Sequence, residues 1–288
     1  MRDRRRKGTA LAATLAAVAL VAVASIAAAN KPKSPISVAT GTASIPGNTQ
    51  APVSAVCKKG SELTGLGFAF EHKAMFDGYS GLNTAEPLDE RNLTVYFDNY
   101  GGTPRKGKAI AVCRSDGSFS TVEKSLLIST GDPQDNVVTA KCPRGSSVVG
   151  GGAEMSQGYR EQAVFASRPK GKRGWLVAGF TYEQGLQKAF AICDKKHSYV
   201  TKSKTRSVDY QPRSREAKRT NIDTIEAKAN CPGKSTIMSG GFDLRGGESA
   251  QPSVIDNRAK GHDAWFSQVR GFGFSTLALT TYAVCRRN

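Results

Sequence analysis

Short runs of β-branched, aromatic and small residues, interrupted by Gly and Pro, recur along the chain beyond residue 30. In Trp175-Leu-Val-Ala-Gly-Phe-Thr-Tyr182 and Trp265-Phe-Ser-Gln-Val-Arg-Gly-Phe-Gly-Phe274 such residues dominate. A period of two places successive side chains on opposite faces of a strand, and no stretch sustains a helical period long enough to compete. Further β-rich stretches fall at 36–45, 119–129 and 199–208. Pro-x-Gly and Gly-Gly pairs between the runs predict turns and places of close backbone approach. The pattern therefore predicts an all-β chain.

Aligning the odd-numbered cysteines exposes a threefold internal repeat of about 85 residues. The three openings are Cys57-Lys-Lys-Gly-Ser-Glu-Leu-Thr-Gly-Leu-Gly67, Cys142-Pro-Arg-Gly-Ser-Ser-Val-Val-Gly-Gly-Gly152 and Cys231-Pro-Gly-Lys-Ser-Thr-Ile-Met-Ser-Gly-Gly241. Each carries a serine four places after the cysteine, an aliphatic residue six after and a glycine ten after. The copies close on Ala111-Val-Cys113, Ala191-Ile-Cys193 and Ala283-Val-Cys285. A hairpin leading into Trp175 recurs before Trp265, whereas the first copy has Leu93 there, preceded by Glu86, Asp89 and Glu90. The predicted organisation is three pseudo-symmetric β repeats at 30–113, 114–193 and 194–288, in a β-prism-like closed arrangement. The alternative is three small β-sandwich units in series.

Repetition also constrains the six cysteines, Cys57, Cys113, Cys142, Cys193, Cys231 and Cys285. No C-x-x-C pair is present, so zinc ligation is not expected and all six read as disulfide-forming. Only two pairings respect the threefold pattern: within copies, or Cys113 with Cys142, Cys193 with Cys231 and Cys57 with Cys285. The within-copy pattern is favoured because it ties the opening of each thin-cored unit to its closing strand.

Disulfides point to an oxidising compartment, and the N-terminus agrees. Arg2, Arg4, Arg5, Arg6 and Lys7 precede an Ala/Val/Leu stretch ending at Ala27, Ala28 and Ala29, the pattern of a signal peptide over 1–29. Secretion, with cell-wall association, is the expected localisation, and no transmembrane span is expected after cleavage. Losing that segment removes five cationic groups and Asp3, lowering the formal charge from +17 to +13. So basic a protein is drawn to polyanions.

The succession Ala-x-Cys-Pro-x-Gly, Gly-Gly-Gly, Pro…Trp and Ala-x-Cys resembles repeats in uncharacterised secreted proteins of Gram-positive actinobacteria. Cys231 to Phe242 is similar to a stretch of the vitelline membrane outer layer protein family, whose three repeats form a β-prism. That resemblance implies an architecture and transfers no site residues.

Chemistry-bearing motifs are mostly absorbed by the repeat. Gly233-Lys-Ser-Thr236 looks like the end of a phosphate loop, but Lys228 stands where its first glycine belongs, and the second copy has Pro143-Arg-Gly-Ser-Ser in the same slot. Arg270-Gly-Phe-Gly-Phe274 matches half of an RNA-stacking strand before Ser275 and Leu277 break it. No catalytic residues, metal or cofactor and no specific nucleic-acid partner are assigned. Glu154 and Asp243 are the carboxylates considered for glycoside hydrolysis.

Basic residues cluster instead, in an arm at 195–219 and on two hairpin tips. The polyanion-binding candidates are Lys202, Lys204, Arg206, Arg213, Arg215, Lys218 and Arg219 in the arm, Arg168, Lys170, Lys172 and Arg173 on one tip, and Arg258 and Lys260 on the other, beside His262. The expected function is a secreted, non-enzymatic binding or structural module contacting anionic cell-envelope polymer, glycan or an extracellular protein. A carbohydrate-active enzyme and a secreted inhibitor or toxin component are the alternatives.

Overall fold

A computed structural model describes residues 35–71, 81–128, 136–155, 162–181, 184–209, 222–246, 252–272 and 276–287. The expected signal segment 1–29 lies outside them. The first repeat supplies strands Ile36–Ile45 (β1), Thr49–Val56 (β2), Glu62–Phe70 (β3), Gly81–Pro87 (β4), Asn92–Asn99 (β5) and Arg105–Arg114 (β6). The second supplies Phe119–Ile128 (β7), Val137–Lys141 (β8), Ser147–Met155 (β9), Gln162–Lys170 (β10), Gly174–Thr181 (β11) and Gly185–Asp194 (β12). The third supplies Tyr199–Asp209 (β13), Ile222–Asn230 (β14), Thr236–Gly246 (β15), Ser253–Ala259 (β16), Ala264–Phe272 (β17) and Thr276–Arg286 (β18). The protein is all-β, as the alternation predicts.

The eighteen strands form three six-stranded sheets, ordered β1-β6-β3-β16-β17-β14, β2-β5-β4-β9-β12-β7 and β13-β18-β15-β10-β11-β8. Each repeat therefore splits into two half-sheets, its first, sixth and third strands in one and its second, fifth and fourth in another. Halves from different repeats join through the third strand of one and the fourth strand of its neighbour: β3 with β16, β9 with β4, and β15 with β10. Every pair of repeats shares one sheet, including the first and last, where Phe68 lies opposite Asn257. The alternative of sandwich units in series does not hold, because the open edges of each repeat's third and fourth strands are satisfied only by other repeats.

The glycine ten places after each opening cysteine makes this exchange possible. A Cβ on Gly67, Gly152 or Gly241 would sit 2.9, 2.2 or 2.0 Å from the carbonyl oxygen of Asn257, Ala85 or Ser167, each on the neighbouring repeat's fourth strand. Any side chain there would push the seam apart.

The inner faces of the three sheets meet in a main hydrophobic core, with a smaller cluster around Trp265 and the Cys231–Cys285 bridge. Phe68 contacts both Phe97 and Phe242 edge-on, at centroid separations of 6.2 and 6.4 Å, so each sheet contributes one ring. The disulfides are Cys57–Cys113, Cys142–Cys193 and Cys231–Cys285, the within-copy pairing. Each joins the residue following a repeat's second strand to its sixth strand, and those two strands belong to different sheets. Each pair of sheets is thus stapled once, with loops of 51 to 56 residues. Loops of that length correspond to about 4 kcal/mol per bridge on the chain-entropy estimate.

Candidate functional site

The two hairpin tips occupy equivalent places in their repeats, and their arginines are engaged by nearby groups. Arg168 pairs with Asp243 at 2.8 Å across the β10–β15 seam and lies 5.5 Å from the centre of the Tyr282 ring. Arg173 donates from Nε and Nη2 to the Cys142 carbonyl at 3.0 and 2.6 Å. Arg91 makes the same pair of bonds to the Cys57 carbonyl, at 3.2 and 2.8 Å. Arg173 is therefore a repeated structural clamp on a turn carbonyl. On the other tip Arg258 pairs with Asp256 at 2.8 Å, while Lys260 sits 4.8 Å from the Phe266 ring centre. Lys170, Lys172, Arg173, Lys260 and His262 remain exposed.

The basic arm is in part a strand. Lys202, Lys204 and Arg206 lie on β13, an outer strand of its sheet, registered opposite Ala283, Thr281 and Leu279 of β18. All three are exposed, and none has an ion-pair partner among the described residues. Alternation puts them on one side, with Thr201, Ser203, Thr205 and Ser207 on the other. Arg213, Arg215, Lys218 and Arg219 lie outside the described residues.

The carboxylates considered for hydrolysis do not come together. Glu154 is on β9 and pairs with Lys188 at 2.8 Å, whereas Asp243 is on β15, in another sheet, held by Arg168 and Arg245. What the sequence did not reveal is that Glu154 meets Glu86 across the β4–β9 seam. Burial raises the Glu86 carboxyl from 4.5 to about 7, helped by the charge of Glu154 and a hydrogen bond shared with it, while Lys188 opposes the rise. Two carboxyls in mutual hydrogen-bond contact leave no room for a sugar carbon or a water between them, unlike a glycosidase pair. The only signal in the sequence was the acidic lead-in of the first copy, Glu86 standing where the other copies have Arg168 and Arg258.

A second charged group follows the closing cysteines. Asp194, fully buried, accepts bonds from Tyr199 Oη, His197 Nδ1 and the Lys196 amide, which hold it below the usual carboxylate range although burial works the other way. In the equivalent place, buried Arg114 pairs with Asp116, which also accepts from Arg286 at 3.0 Å. The Asp194 cluster closes on itself, whereas the Arg114–Asp116–Arg286 group links the first repeat's last strand to the last strand of the chain.

The remaining motifs resolve into backbone geometry. Gly233-Lys-Ser-Thr236 lies on a turn closed by the Ser235 amide donating to the Pro232 carbonyl at 3.1 Å, and the same turn recurs at Ser61 and Ser146. Of the aromatic pair on the RNA-like segment, Phe272 ends β17 and Phe274 lies outside the described residues. No protein-family model matches the chain. No curated protein matches it either.

Proposed function

We propose that this protein is a secreted, non-enzymatic binding module that engages an anionic polymer of the cell envelope through its third repeat. The observation that carries the reading is the row Lys202, Lys204 and Arg206, exposed and without a carboxylate partner among the described residues. On the hairpin tips, by contrast, Arg168 is paired with Asp243 and Arg258 with Asp256. Three disulfides suit an oxidising exterior, and a prism-like packing of the three sheets would present β13 on the outside of a rigid body. Exposed charges act through a solvent-screened field, so the contact is salt-sensitive.

The test is chromatography of the disulfide-intact protein on immobilised anionic wall polymer. Retention at low salt with release on a rising salt gradient is the expected result. Passage through the column at low salt would remove the electrostatic reading.

A further inference from the structure

The three repeats provide an internal control for β13. Its positions 202, 204 and 206 correspond by register to Ala39, Gly41 and Ala43 on β1 and to Val122, Lys124 and Leu126 on β7, since residues 39, 122 and 202 all face the alanine two places before the closing cysteine. On β1 this face is packing surface. Ala39 and Ala43 lie against the core, and a Cβ on Gly41 would fall 1.8 Å from the Ser54 carbonyl oxygen of β2. The fold thus accepts small apolar residues at all three places and does not require charge. In the third repeat all three have become cations, and the face is open to solvent.

We propose that β13 is a binding site for an extended polyol-phosphodiester chain, its cations reading successive phosphates as a linear ladder. This rests on the polyanion reading above and specifies its chemistry. Side chains on one strand face recur every second residue, about 6.6–6.8 Å apart. A three-carbon polyol phosphodiester repeats its charge every six backbone bonds, as many as two peptide residues, and so about 7 Å when extended. Inorganic polyphosphate carries a charge every two bonds, too dense for this spacing. Single-stranded nucleic acid has a similar phosphate spacing, but its binding sites stack bases on aromatic side chains. Between Val200 and Val208 the strand has none. Exposed Lys195 and Lys196 precede the row.

The test compares labelled poly(glycerol phosphate) with oligo(dT) by fluorescence anisotropy at several salt concentrations. The variant Lys202→Ala/Lys204→Gly/Arg206→Ala installs the residues β1 carries at this register. A charge-matched control, Lys58→Ala/Lys59→Ala/Lys141→Ala, removes three exposed cations elsewhere. The β13 variant should bind poly(glycerol phosphate) at least about tenfold more weakly at low salt, with a log K against log salt slope shallower by about 2. The control should bind like the parent. If the β13 variant does not fold, Lys202→Gln/Lys204→Gln/Arg206→Gln carries the same expectation. Parental affinity in the β13 variant, or oligo(dT) binding as tight as the polymer, overturns the proposal while leaving the general polyanion reading standing. A parent that binds no polyanion at low salt overturns both.

Discussion

At the scale of single residues, the first repeat's missing tryptophan is matched by coordinated changes around it. Trp175 and Trp265 are fully buried and donate from Nε1 to Ser167 Oγ at 3.0 Å and Asn257 Oδ1 at 2.7 Å. Each indole lies against a glycine, Gly151 or Gly240, where a Cβ would come within 2.4 or 2.2 Å of a ring atom. In the first repeat the corresponding residues are Leu93, Ala85 and Leu66, so ring, acceptor and glycine are replaced together by an apolar set of similar bulk. Trp175→Leu alone leaves a cavity and an unpaired Ser167 hydroxyl, and should cost about 3 kcal/mol in denaturant unfolding. Gly151→Ala is also destabilising in the parent, but less so in the Trp175→Leu background, by about 1–2 kcal/mol of coupling, because one of its two clashes has gone. The remaining clash is with the Phe190 carbonyl, at 2.2 Å. Additive effects in that double-mutant cycle would separate the glycine from the ring. The sequence displayed Leu93 as a departure, but the indole–glycine contacts of the other two copies, which tie positions 66 and 93 together, become visible only in the structure.

At the scale of elements, the seams between repeats are where the copies have diverged. The third seam holds Arg168 against Asp243, whereas the first holds Glu86 against Glu154. Because the folded Glu86 carboxyl titrates near 7 instead of 4.5, its contribution to stability is full below pH 4.5 and is lost as pH rises through 7. Glu86→Gln should therefore flatten the pH dependence. Relative to the parent it gains about 1–2 kcal/mol between pH 5 and pH 8, a figure reduced from the full linkage value because Glu86 is partly exposed to screening solvent. Thermal unfolding at both pH values measures it, and an unchanged difference between parent and variant would contradict the assignment. Asp98, raised by burial to about 6, contributes in the same sense to both proteins and cancels in the comparison. The strands and the disulfide pairing were legible because alternation and repetition are local signals. The exchange of half-sheets was not, because Gly67, Gly152 and Gly241 announce a close approach without naming the strand that approaches. The pairing of Arg168 was hidden for the same reason: Asp243, its partner, lies in a different repeat.

At the scale of the whole molecule, a cyclic exchange of strands, a shared main core and one staple between each pair of sheets make a scaffold on which equivalent surfaces can diverge. One outward surface carries the paired carboxyls Glu86 and Glu154, while β13 carries cations with no ion-pair partner among the described residues, at places where its counterpart on β1 carries alanine and glycine. The third repeat keeps the turns, glycines and cysteines of the other two but differs in the charge of its outer strand, and it is on that strand that we propose the function lies. Amide chemical-shift mapping of the isotopically labelled protein, titrated with poly(glycerol phosphate), tests this claim most directly. Perturbations should centre on residues 200–208 and fade with added salt. A response confined to the hairpin tips at 170–173 and 258–262, with β13 unmoved, would contradict it.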